Sequence, residues 1–182
     1  MLNASLNSGE IITDGSIDDP NIKLNYTATA NVKGNYPNGE LTLTVDTIQL
    51  QPLYFYKDTL NASFKAYIKA PDLDPENMNL YAEIDRTKIN IRNKLYALDS
   101  IIATSKTING SNQASFTSPL ADITATGKFQ YDKISSALIQ YVDKYYKLTD
   151  NITETIAPQQ ISFEGVIKKN PIVTSFAEGF DY

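Results

Sequence analysis

The 182 residues carry 16 Lys and Arg against 21 Asp and Glu, a formal net charge of -5, and no histidine, cysteine or tryptophan. That composition removes the usual general base, the thiol nucleophile and the commonest zinc and copper ligands, and with them most hydrolase and metalloenzyme readings. The cations are scattered rather than gathered into the basic stripe a phosphate backbone requires, which argues against nucleic acid, and the lack of cysteine leaves the compartment open.

Met1 to Gly9 lack the charged start and apolar core of an export signal and read as a strand. No stretch approaches the roughly 18 apolar residues that span a bilayer. From Ile22 the dominant signal is period two: Ile22, Leu24, Tyr26, Ala28, Ala30 and Val32 on one face, Lys23, Asn25, Thr27, Thr29 and Asn31 on the other. A turn-rich Lys33 to Gly39, with its Asn38-Gly39 pair, leads into Leu41, Leu43 and Val45, so a hairpin is expected. The apolar phase then slips from Val45 to Ile48 and Leu50, which predicts a bulge near Asp46. Alternation resumes at Leu60, Ala62, Phe64, Ala66, Ile68 and Ala70 and is expected to stop at Pro71. After a loop to Asn77 come Met78, Leu80, Ala82 and Ile84, then Ile89 and Ile91, and a less regular Leu95 to Ser105. Asn109-Gly110 marks a turn, followed by strands over Ala114 to Ser118 and Ala121 to Tyr131.

One segment changes period. Between Asp132 and Leu148 the apolar residues Ile134, Leu138, Ile139, Val142, Tyr145 and Leu148 fall three and four apart, which predicts an amphipathic helix with Asp132 as its cap and Lys144 and Lys147 near its end. A polar linker to Gln160, a strand over Ile161 to Lys169 and a helix opening at Pro171 complete the reading. The organisation is thus a sheet over 1–131, a helix over 132–148, and a linker, strand and truncated helix over 149–182. The pattern reads as a piece of a longer repetitive sheet.

An apolar strand face has to be covered, and the ordinary solution is a β-sandwich whose two sheets meet across a core. The faces here are rich in alanine (Ala28, Ala30, Ala62, Ala66, Ala70, Ala82), and one helix is a short lid for many strands. A long curved antiparallel sheet with its apolar side left for an acyl chain accounts for the pattern equally well. Both all-β architectures are carried forward.

The strand and turn grammar resembles the AsmA-like and TamB superfamily of envelope proteins. The likeness lies in Asp58-Thr-Leu-Asn-Ala-Ser-Phe-Lys-Ala-Tyr-Ile-Lys-Ala70, Asn77-Met-Asn-Leu-Tyr-Ala-Glu-Ile84, and Ser118-Pro-Leu-Ala-Asp-Ile-Thr-Ala-Thr-Gly-Lys-Phe129 running into Lys133 to Tyr145. These are patterns rather than sharp motifs. The resemblance implies a half-pipe or β-taco lined with apolar side chains, in the periplasm of a protein anchored to the inner membrane through a region absent from this chain. It also implies phospholipid transport between the membranes and support of outer-membrane biogenesis, with outer-membrane assembly proteins as partners of other regions.

Under that reading the groove is lined by Leu24, Tyr26, Ala28, Leu41, Leu43, Val45, Phe64, Ala66, Ile68, Leu80, Ile84, Ile123 and Phe129, which act by contact alone. The competing role for the same residues is ordinary core, in a surface or adhesion module that binds protein or glycan. Neither reading calls for a catalytic residue, a cofactor or a metal. The alternate carboxylates Asp72, Asp74 and Glu76 resemble a calcium loop but lack its glycine and distal glutamate. Tyr54, Tyr56, Tyr141, Tyr145 and Tyr146 read as packed aromatics with hydroxyls at the water boundary. Asn-x-Ser/Thr triplets at Asn3, Asn25, Asn61, Asn109 and Asn151 fit chance in a chain of this composition, and Asp-Thr or Asp-Ser pairs at Asp46, Asp58 and Asp99 suit turns as well as bacterial O-glycosylation.

Overall fold

The computed structural model describes residues 1–54, 57–143, 145 and 157–173. Eleven antiparallel strands form one open sheet: β1 (Leu2–Asn7), β2 (Glu10–Asp18), β3 (Ile22–Asn31), β4 (Asn38–Gln49), β5 (Leu60–Asp72), β6 (Asn79–Ile91), β7 (Lys94–Leu98), β8 (Ile101–Ile108), β9 (Ser111–Thr117), β10 (Ala121–Lys128) and β11 (Gln160–Ile167). Ten follow one another as β1-β2-β3-β4-β5-β6-β8-β9-β10-β11, while β7 pairs with the second half of β6 in line with β8. The long all-β antiparallel sheet is therefore the observed class. Two packed sheets, the sandwich expectation, do not form among the described residues.

Local chemistry explains the meander. Three two-residue loops, Ser8-Gly9, Arg92-Asn93 and Asn109-Gly110, have positive φ at both positions, the backbone twist that matches a right-handed hairpin. The expected bulge is present: Leu24 pairs with Val45 and Lys23 with Thr47, leaving Asp46 as the extra residue. A second bulge in β6 includes Arg86 at φ 53, and a third lets β5 carry Pro71. The strand passes through that proline instead of stopping, because a bulged position needs no ladder donor. Nor is Asn38-Gly39 the hairpin turn. It is the first pair of β4, and Gly39 is required there because a Cβ would stand 2.3 Å from the Thr29 carbonyl oxygen of β3.

The chain returns over the apolar face at two places. At one end of the strands Leu60, Ile91, Tyr96, Leu98 and Ile172 form a buried cluster, with Ile172 only 1% exposed. At the other end the segment after β10 folds across: Asn112 Nδ2 donates to the Phe129 carbonyl, Tyr131 N donates to the Pro75 carbonyl, and the Phe129 and Tyr131 rings meet edge to face. A 3-10 turn over Tyr131–Lys133 then opens α1 (Ile134–Asp143). Asp132 lies inside that turn rather than capping it, the turn starting from Gln130 with no side-chain cap. Lys144 and residues 146–156 of the expected helix end and linker lie outside the described residues, as do 174–182 of the expected second helix, of which 171–173 are helical.

Candidate functional site

Register turns the alternation of single strands into continuous rows. Ala4, Thr13, Ala28, Leu41 and Ile68 pair in succession from β1 to β5. The row continues without a break through Ala82, Ala103, Phe116, Ile123 and Gly165 to β11. A neighbouring row runs Leu2, Gly15, Tyr26, Leu43, Ala66, Ile84 and Ile101. Directly paired residues share a face, so these rows form one apolar surface. Nine inter-strand spacings of roughly 4.8 Å make it about 43 Å long.

Only two side chains on these rows are polar, and both have partners: the Thr13 hydroxyl donates to the Asn3 carbonyl at 2.8 Å, and the Tyr26 hydroxyl lies 3.2 Å from Thr13 Oγ1. The Tyr26 ring covers Gly15, where a Cβ would come within 2.5 Å of it. None of these row residues is charged; on the opposite face Lys69 Nζ lies 2.7 Å from Glu40 Oε1 and the Tyr81 hydroxyl donates to Glu83. The hydrogen bond and charge of Lys69 hold the Glu40 carboxyl below its ordinary value, and Glu40 raises Lys69 in return. The bond to Glu83 raises the Tyr81 hydroxyl.

Twelve of the thirteen expected residues stand on this face within strands. Ala28, Leu41, Ile68 and Ile123 belong to the first row, and Tyr26, Leu43, Ala66 and Ile84 to the second. Leu24, Val45 and Phe64 pair alongside, with Leu80 opposite Ser105. Val45 and Ala66 are buried as floor, whereas most of the others are half exposed. Phe129 differs: it is 5% exposed, inside the closure at the strand end, and not on open surface. The carboxylates of the Asp72 loop are occupied by its own turns, Asp72 and Asp74 accepting from the Asp74 and Glu76 backbone N–H groups and Glu76 from Gln130. Among the described tyrosines Tyr141 and Tyr145 stack edge to face; Tyr56 and Tyr146 lie outside the described residues.

Sequence reasoning missed three contributors. Strand β2 escapes the alternation rule because Thr13 and Gly15 interrupt its apolar phase, although Ile11 and Ile17 frame a period of two. On β8 and β9, Ala103 and Phe116 occupy the row between polar neighbours. Finally, a cavity of about 420 Å³ lies between Ile134, Leu138 and Tyr141 of α1 and Ile161 and Phe163 of β11. Its helical half was legible in the three-and-four spacing, but its pairing with β11 is a tertiary fact.

No family model matches the chain, and no curated protein or solved structure shows significant similarity to it. No helix among the described residues is long and apolar enough to cross a membrane.

Proposed function

We propose that the apolar face holds lipid acyl chains and that the protein is a segment of a periplasmic bridge moving phospholipid between inner and outer membranes, as its likeness to AsmA-like and TamB proteins implies. The unbroken row across ten strands carries this reading. An acyl chain needs a surface without unsatisfied polar groups, and the only two polar side chains on these rows are hydrogen-bonded, Thr13 to the Asn3 carbonyl and Tyr26 to Thr13. Half of a bilayer core is about 15 Å, so a face about 43 Å long exceeds one acyl chain and suits a lipid that slides. Contact with such a chain requires no proton transfer, so the role is non-enzymatic. Inner-membrane anchoring and contact with outer-membrane assembly proteins belong to regions outside this chain.

The test is photo-crosslinking from Phe64 and Ile68, with Lys65 on the opposite face as control, followed by mass spectrometry of organic extracts. Phospholipid captured from 64 and 68 but not from 65 is the expected result. A folded protein that yields no lipid in either measurement, or equal capture from both faces, overturns the reading.

A further inference from the structure

Among the described residues neither border of the sheet is paired with a further strand, and the two borders match each other. Strand β1 is exposed along all six residues and contains neither charge nor proline, the usual defences of an edge. No described strand pairs with the outer side of β1 or of β11. The apolar face runs out at both borders through exposed side chains: Leu2 at 69% and Leu6 at 71% on β1, Phe163 at 58% and Ile167 at 81% on β11.

Hydrogen-bond phase makes the match specific. Met1 and Ser16 exchange both backbone bonds, so by antiparallel alternation Asn3, Ser5 and Asn7 also bond inward to β2. Leu2, Ala4 and Leu6 therefore turn their N–H and C=O groups to the free edge. On the far border Lys168 N donates to the Leu120 carbonyl, which places Val166, Glu164 and Ser162 inward and leaves Phe163, Gly165 and Ile167 facing outward. The free backbone groups on each border thus belong to the residues of the apolar face. Because the path contains ten strands, an even number, β11 also runs opposite to β1.

We propose that the protein extends its sheet head to tail, β11 of one copy pairing antiparallel with β1 of a second copy in the register Phe163 to Leu6, Gly165 to Ala4 and Ile167 to Leu2. Large residues then meet large ones, glycine meets alanine, and the apolar face continues unbroken from copy to copy. Such a contact is heterologous, so copies add one after another past the dimer, into a ring or an open filament according to the rotation between them. It depends on edge geometry and not on the lipid reading.

Sedimentation velocity of the whole chain tests it, with species growing past a dimer as concentration rises. Ala4→Pro and Gly165→Pro each remove one edge donor while sparing the internal ladder, and each variant alone is expected to lose association completely. Mixed together they are expected to form a heterodimer and nothing larger, because each keeps the edge the other lacks. A wild-type monomer at every concentration overturns the pairing, as does self-association of Gly165→Pro, which would mean β1 pairs with itself. Should either proline unfold the sheet, Ala4→Cys with Gly165→Cys in this cysteine-free chain gives a second measurement. Oxidation is expected to produce an oligomer ladder whose peptides are joined 4 to 165, and a ladder without that linkage overturns it.

Discussion

The first four strands and the last seven share one alternation, yet only the last seven have a core. In β1–β4 the sheet is bare, and Val45 is the one large side chain fully withdrawn from water. From β5 onward the chain doubles back at both strand ends, and Leu60, Ile91, Tyr96, Leu98 and Ile172 become a cluster. Period two establishes which side is apolar; burial comes only where another segment crosses that side. The difference separates a region whose apolar residues are free for a partner from one in which some of them hold the fold.

Truncation at matched positions breaks this contrast if it is wrong. Ile91→Ala leaves a void among fully packed neighbours and is expected to cost about 3 kcal/mol, read from the urea midpoint. Leu41→Ala on the half-exposed face is expected to cost less than about 1.5 kcal/mol, because much of that side chain meets water already. Equal losses at the two positions would mean that β1–β4 has a cover of its own.

The covered region also relies on polar groups. Asn112 is buried at 3%, accepting from Thr107 Oγ1 and donating to the Phe129 carbonyl. Asn112→Ala orphans that carbonyl and frees the segment that carries Phe129 over the strand end, for an expected loss of about 2 kcal/mol. Hydrogen exchange is expected to rise at Phe129–Tyr131 and to stay unchanged in β2 and β3. Exchange that rises everywhere would erase the boundary between the regions.

In the bare region the limiting term is backbone approach. Gly39→Ala drives a methyl against the Thr29 carbonyl, and the expected cost is about 1 to 2 kcal/mol, with amide shifts confined to β3 and β4. A neutral substitution would show that this pair of strands yields easily.

Much of this was legible in the chain itself. Ile22 to Val32 alternate without fault, and the slip from Val45 to Ile48 located a bulge, because each side chain on a regular strand reports its face directly. Asn38-Gly39 misled because the same pair marks tight turns and close strand approaches. Pro71 misled because a bulge removes the need for its missing N–H. Phe129 shares the parity of Ile123, which alone predicts the open face, but its burial depends on Asn112, 17 residues earlier in sequence. Tertiary returns of that kind leave no periodic trace.

The smallest expected effect lies at the boundary between the regions, where Glu40 on β4 and Lys69 on β5 face each other on the polar side. The Lys69 ammonium holds the Glu40 carboxyl below 4.5, first through its hydrogen bond and then through its charge, and Glu40 raises Lys69 above 10.5. A depressed carboxylate contributes stability that is present above its unfolded value and fades as pH falls through its lower folded value. A raised ammonium contributes stability that is complete below its unfolded value and fades as pH rises through its higher folded value. The pair therefore acts in the window between them, weakly, since both groups are about half exposed and salt screens them. An NMR titration of the Glu40 carboxyl carbon is expected to show a midpoint below that of an ordinary glutamate, and Lys69→Met is expected to return it upward. An ordinary midpoint with Lys69 in place would mean that backbone pairing and the apolar row alone join the bare region to the covered one.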